Sequence, residues 1–136
     1  MKLKTPKYLT LLAAGSLIVG LSAFQAAKKP WVVPDKFAKM ANAHPSSPES
    51  LKEGKELYAK HCQSCHGKTG HGDGTKAATL KTDPGNFSKP DFQRQSDGSI
   101  FYKVSEGRED MPNFKKKISD PNEIWSVVNY VRTLNH

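Results

Sequence analysis

The run Cys62-Gln63-Ser64-Cys65-His66 limits what this chain can fold into more than any other stretch. Two thiols three positions apart lie on one turn, where each can form a thioether with one of the two vinyl groups of a haem. The histidine that follows is then held beneath the iron as its proximal ligand. Other uses of a C-x-x-C pair leave residues unexplained. A thioredoxin-like redox pair has no need of His66. A structural zinc site needs four ligands, and Cys62 and Cys65 are the only cysteines in the chain. A disulfide across so short a loop would be strained. The expected cofactor is one covalent haem c with its iron, attached through Cys62 and Cys65 and ligated by His66.

A chain of 136 residues has room for one small domain with extensions. Residues 50–136 amount to 87 positions, a size at which a hydrophobic core is thin. A buried porphyrin would add the missing apolar contact, so this segment is expected to be poorly folded without it. The formal net charge is +8, and Lys2, Lys4 and Lys7 are the only charged side chains before Lys28. From Lys28 onward the balance is therefore 18 − 13 = +5. Such a surface suits acidic protein partners or a membrane. No nucleic-acid motif accompanies it.

Residues 1–27 read as an export segment. Met1 to Lys7 is basic, and Tyr8 to Phe24 runs 17 residues without a charge, extended to 20 by Gln25-Ala26-Ala27. A basic start followed by an apolar stretch is a secretory signal. It predicts export to the periplasmic face, where the protein is either soluble or tethered to the cytoplasmic membrane. No clean A-x-A cleavage site follows, and twenty helical residues would span a bilayer core of roughly 30 Å. Cleaved signal peptide and uncleaved membrane anchor both fit. A lipoprotein does not, because no cysteine is free to carry the lipid. Residues 28–49 contain Pro30, Pro34, Pro45 and Pro48 and read as a linker. As a flexible tether it would reach about 25 Å. Phe37, Met40 and Ala41 sit at helical spacing, so the segment, with Trp31, can equally be an arm packed on the domain.

The first long helix is predicted from Ser50, where Ser50-Leu51-Lys52-Glu53 fits a capping box. Leu51, Gly54, Leu57, Tyr58 and His61 follow at helical intervals, with His61 read as a solvated neighbour of the haem motif. Gly67 to Gly74, GKTGHGDG, resembles part of a phosphate loop, but that motif needs glycine where Cys62 stands. Its glycines let the backbone turn tightly beside the haem instead. His71 within this run is an alternative ligand, though one so close to His66 would struggle to reach the opposite face. A proximal histidine usually donates its free N–H to a carbonyl, and the Pro84 region is the candidate source. A short helix follows, capped by Ser96 or Asp97 and ended by Gly107. The last helix opens on Asp120-Pro121-Asn122-Glu123 and carries the apolar stripe Ile124, Val127, Val128, Val131 and Leu134. Between these two helices lies Met111-Pro112. A methionine thioether is a soft ligand that favours reduced iron. Met111 comes 45 residues after His66, far enough for the chain to wrap round to the other face. The competing reading of Met111 is ordinary core filler.

With C-x-x-C-H near the end of its first helix, a Met-Pro loop and the final helix NEIWSVVNYVRTL, the segment 50–136 resembles a class I, single-haem cytochrome c of bacterial type. The runs CHG…GHGDG and GREDMPNF are similar to members of that family, and the resemblance covers about two-thirds of the chain. It implies an all-α fold: a small cytochrome c domain whose first and last helices cross, with short helices and loops wrapped around one covalent haem. Gly54 and Tyr58 would then meet Val127 and Tyr130. It also implies that His66 and Met111 are the two axial ligands and that some relatives are membrane-tethered.

These features predict an electron carrier rather than an enzyme, because six-coordinate iron leaves no position for substrate. The protein would shuttle electrons between redox protein donors and acceptors of an exported respiratory chain. Lys68, Lys76, Lys81, Lys89 and Lys115-Lys116-Lys117 would steer acidic docking surfaces, or form an ordinary solvated surface. Two alternatives stand beside this reading. One is a haem c subunit fixed in a larger respiratory complex. The other is a peroxidase or gas sensor with a labile sixth site, which requires that Met111 not bind iron.

Overall fold

Capping chemistry sets where the helices begin. The computed structural model describes residues 30–136, so the predicted export segment lies outside the described residues. Within them are α1 (Asp35–Ala38), α2 (Pro48–His61), α3 (Gln63–His66), α4 (Pro90–Gln93), α5 (Asp97–Glu106) and α6 (Pro121–Arg132), with 3-10 turns at Ala77–Thr79 and Phe114–Lys116. The described residues contain no strand, only one antiparallel bridge between Arg108 and Met111.

Helix α2 starts earlier than the Ser50 box predicts. Ser47 is the cap and Pro48 the first helical residue. The Ser47 hydroxyl accepts from the Ser50 amide at 3.1 Å, while the Ser47 amide donates to the Ser50 hydroxyl at 2.9 Å. Ser50 therefore closes the box from its far side, and Pro48 suits a position whose N–H would have no partner. Ser96 caps α5 through the Ser99 amide at 3.2 Å. Asp120 caps α6 through the Asn122 amide at 2.8 Å, as its sequence predicts.

Helices α2 and α6 form the main packing pair of the domain. Gly54 makes the approach possible: a Cβ there would lie 1.9 Å from the Ser126 carbonyl oxygen. The Tyr58 ring meets Tyr130 at 5.3 Å between centroids, and Tyr58 and Val127 share one apolar cluster. Ser126 is the residue at the glycine contact, one position before the expected Val127. Ser126 also donates its hydroxyl to Glu53 at 2.7 Å.

Residues 31–47 lie along α5 and α6 as a packed arm. Phe37 meets Tyr102 at 4.8 Å, and Met40 packs on the core. Asn129 of α6 is almost fully buried. Its amide group donates to the His44 carbonyl at 2.8 Å, and its oxygen accepts from Asn42 at 2.8 Å. Burying this side chain is tolerated because both ends are satisfied.

The apolar interior falls into two clusters. One gathers Ile100, Val104, Phe114, Ile118, Ile124, Trp125 and Val128, with Met111 packed against it. The other gathers Tyr58, Cys62, Phe87, Val127, Val131 and Leu134. Leu57 and Phe92 touch both.

Candidate functional site

The site is built from the turn that follows α2. The Cys65 and His66 amides both donate to the Cys62 carbonyl, at 3.1 and 2.9 Å, which puts the two thiols on one turn. The glycine-rich segment then folds back over that turn. Gly72, Gly74 and Lys76 donate their amides to the carbonyls of His66, Cys65 and Ser64, at 2.8, 3.2 and 2.8 Å. The fold-back begins at Gly67, whose φ of 81° is a conformation that other residues rarely adopt. Its carbonyl accepts the Tyr58 hydroxyl at 2.7 Å. Burial raises the Tyr58 pKa well above its usual value, so the phenol stays a donor and ties α2 to the motif.

Cys62, Cys65, His66 and Met111 all line one cleft. Its walls include His61, Leu80, Thr82, Pro84, Phe114 and Trp31. Cys62 belongs to one apolar cluster, while Met111 packs on the other. The His66 ring rests on Phe87 at 4.6 Å between centroids. His66 and Met111 therefore reach the cleft from different clusters.

The donor set suits an iron porphyrin. Burial pushes the His66 imidazole down to about 4, against a raising effect of the Pro84 carbonyl. The ring is thus neutral at physiological pH, the form that binds metal. Its Nδ1 is buried and makes no hydrogen bond of normal geometry. The carbonyl of Pro84 is the group placed to receive that N–H, which leaves Nε2 for iron. Burial pushes the Cys62 thiol up to about 12, with Cys65 adding to the effect, so the thiol is neutral rather than a thiolate. Both cysteines are free, and no three His, Cys, Asp or Glu side chains among the described residues form a cluster able to hold a metal ion. Two free cysteines on one turn and a neutral imidazole lining the same cleft fit covalent haem.

The other residues singled out by sequence are placed as follows. His61 is half-buried on the cleft wall, with its ring 6.0 Å from Phe114, rather than solvated. His71 is exposed and bonded to Thr69 at 3.3 Å; it does not line the cleft. Lys68, Lys76, Lys81, Lys89 and Lys115 to Lys117 are all exposed, and Lys115 pairs with Glu106 at 2.7 Å. Sequence reasoning missed Phe87, Leu80 and Asp110. Phe87 and Leu80 sit in a non-periodic segment, and Asp110 makes all its bonds to residues nearly 30 positions away. From sequence, Trp31 is only a residue able to dock. It stands at the cleft with the Arg108 guanidinium 4.6 Å and the Lys103 ammonium 5.5 Å from its ring centroid.

The family model described as cytochrome c oxidase, cbb3-type, subunit III matches residues 49–131, more than half of the chain. The chain belongs to this cytochrome c family. No curated protein matches the cytochrome. Among solved structures it is similar to a chain of the Kuenenia stuttgartiensis reducing HAO-like protein complex Kustc0457/Kustc0458, at 25% identity and a TM-score of 0.62. That match covers 71% of this chain and 50% of the other, so the cytochrome spans half the length of that relative. The KustC0563 c-type cytochrome is 32% identical, with a TM-score of 0.54, over 61% of this chain and 98% of its own. Cytochrome CL from the marine methylotroph Methylophaga aminisulfidivorans MPT shares the fold, at 20% identity and a TM-score of 0.51, over 65% of this chain and 57% of its own. The all-α cytochrome c fold and its covalent haem c expected from the motif are those of the family. The chain is a haem c electron-transfer protein. No described helix is long and apolar enough to cross a membrane.

Proposed function

We propose that this cytochrome is a one-electron carrier in which Cys62 and Cys65 hold the haem while His66 and Met111 occupy its two axial positions. The observation that carries the reading is the convergence of these four side chains on one cleft. Haem c, when bound, supplies the one-electron couple. The chain's own residues bind and orient it. The two thioethers would fix its edge to the motif turn, and Phe87 and the Pro84 carbonyl set the His66 ring. The neutral thioether of Met111 favours the reduced state and closes the sixth position to substrate.

Absorption spectra with and without carbon monoxide test this. Wild-type protein matured with haem is expected to give a low-spin c-type spectrum that is indifferent to carbon monoxide. Met111→Ala should bind it readily in the ferrous state. A wild type that takes carbon monoxide at once would overturn Met111 ligation and favour the peroxidase or gas-sensor reading.

A second reading is favoured by the comparisons: a haem c subunit of a larger respiratory assembly. The matching family model is of an oxidase subunit, and one similar structure is part of a complex. In either case we place the domain on the periplasmic face, delivered there by residues 1–27 as cleaved signal or retained anchor. A free shuttle that meets acidic partners through its exposed lysines should purify alone and exchange electrons more slowly as ionic strength rises. A fixed subunit should co-purify with its partners at a constant ratio, with rates flat in salt.

A further inference from the structure

Asp110 joins two stretches of chain, neither of them helical. Its Oδ2 accepts from the Lys81 amide at 2.7 Å, the Thr82 amide at 3.0 Å and the Thr82 hydroxyl at 3.2 Å. On one side of this tie, Asp110 directly precedes Met111. On the other, Thr82 is two residues before Pro84, whose carbonyl faces His66. Asp110, Met111, Thr82, Pro84 and His66 all line the same cleft. One carboxylate oxygen therefore links the turn that carries Met111 to the segment that backs His66.

The turn is closed by two backbone bonds between Arg108 and Met111, each 2.9 Å, and Glu109 within it has a φ of 53°. A non-glycine residue in that region is uncommon and disfavoured when the chain is free. Neutral methionine brings no charge attraction to iron, so its retention depends on how firmly the loop pre-places its sulfur.

We infer that Asp110 is a positioning residue for Met111, its carboxylate tying the Met111 turn to Lys81 and Thr82 so that the thioether stays at the cleft. The inference rests on the reading of Met111 as an axial ligand. It concerns a different residue and a different bond set, so the two can fail separately.

Carbon monoxide competes with Met111 for the sixth position, so its binding to ferrous holoprotein reports how often the thioether lets go. Asp110→Ala should bind carbon monoxide roughly tenfold faster than wild type, the scale on which outer partners of metal ligands act. Its reduction potential should fall. Asp110→Asn, whose amide oxygen can accept the same three donors, should recover most of the wild-type behaviour. Thr82→Val removes one donor without touching the Met111 turn and should move in the same direction by less. It also serves if Asp110→Ala fails to mature. In a Met111→Ala background, Asp110→Ala should add nothing.

Equal carbon monoxide rates and potentials in wild type, Asp110→Ala and Thr82→Val would overturn the inference, even if the melting temperature fell, because stability alone would then account for the tie. Wild type that already binds carbon monoxide as fast as Met111→Ala would instead remove the ligand, and the positioning role with it.

Discussion

Replacing both Cys62 and Cys65 with alanine is expected to abolish cooperative folding of the domain. The reason lies in how its interior is divided. The apolar side chains form two clusters, and Cys62 and Met111, which line the cleft, lie on different ones. Without haem the facing walls of that cleft touch solvent instead of a porphyrin. The loss compares with the total of about 5–15 kcal/mol that separates folded from unfolded small domains. In such domains the energy of binding the prosthetic group is largely the energy of folding. The measurement is far-ultraviolet circular dichroism through a thermal ramp. The variant should show weak helical signal and no cooperative transition where the holoprotein melts sharply. Cys65→Ala alone retains one attachment point and should fall between. A double variant melting cooperatively within a few degrees of the holoprotein would show that α2, α5 and α6 hold one another without the cofactor.

The parts of this cytochrome that can be read from sequence are those whose signals are local. The five-residue motif, the Asp120-Pro121 start of α6 and its apolar stripe each declare themselves within a few turns of chain. Even local signals compete: Ser50 and Glu53 form a plausible box, but Ser47-Pro48 offers a cap followed by proline at the first helical position, and α2 begins there. What sequence does not reveal is the non-local set. Trp31 reaches the cleft from far upstream of the motif, and Asn129 secures the arm by bonds spanning more than 80 residues. Phe87 supports the His66 ring from within a polar, proline-punctuated segment that carries no periodicity. Asp110 likewise has no local partner to betray it. Trp31 and Asp110 thus line the cleft in roles that exist only once the chain has closed around it.

Gly54 shows how a residue disfavoured locally is required by the tertiary structure. In an isolated helix, Gly54→Ala would stabilise α2 by up to about 1 kcal/mol. In the folded protein the added methyl would lie 1.9 Å from the Ser126 carbonyl oxygen and 2.5 Å from its carbon. These are backbone atoms of a helix whose neighbouring Val127 and Val128 are 1% and 0% exposed, so neither helix has room to yield by a side-chain rotation. The helices must separate, which costs about 1–3 kcal/mol or more when a packed core is overfilled. For a domain of 60–100 residues each kcal/mol shifts the midpoint by about 4–8 °C, so Gly54→Ala holoprotein should melt roughly 10 °C lower, and Gly54→Val lower still. The haem spectrum should be unchanged, because Gly54 lies about two turns up α2 from Cys62 and does not line the cleft. A midpoint equal to or above wild type would mean that helix propensity outweighs the contact and that α2 and α6 can part at this point without loss. A lowered midpoint with an altered spectrum would mean that the crossing also sets the position of the motif turn, because α2 would carry the displacement down to Cys62 as a rigid rod.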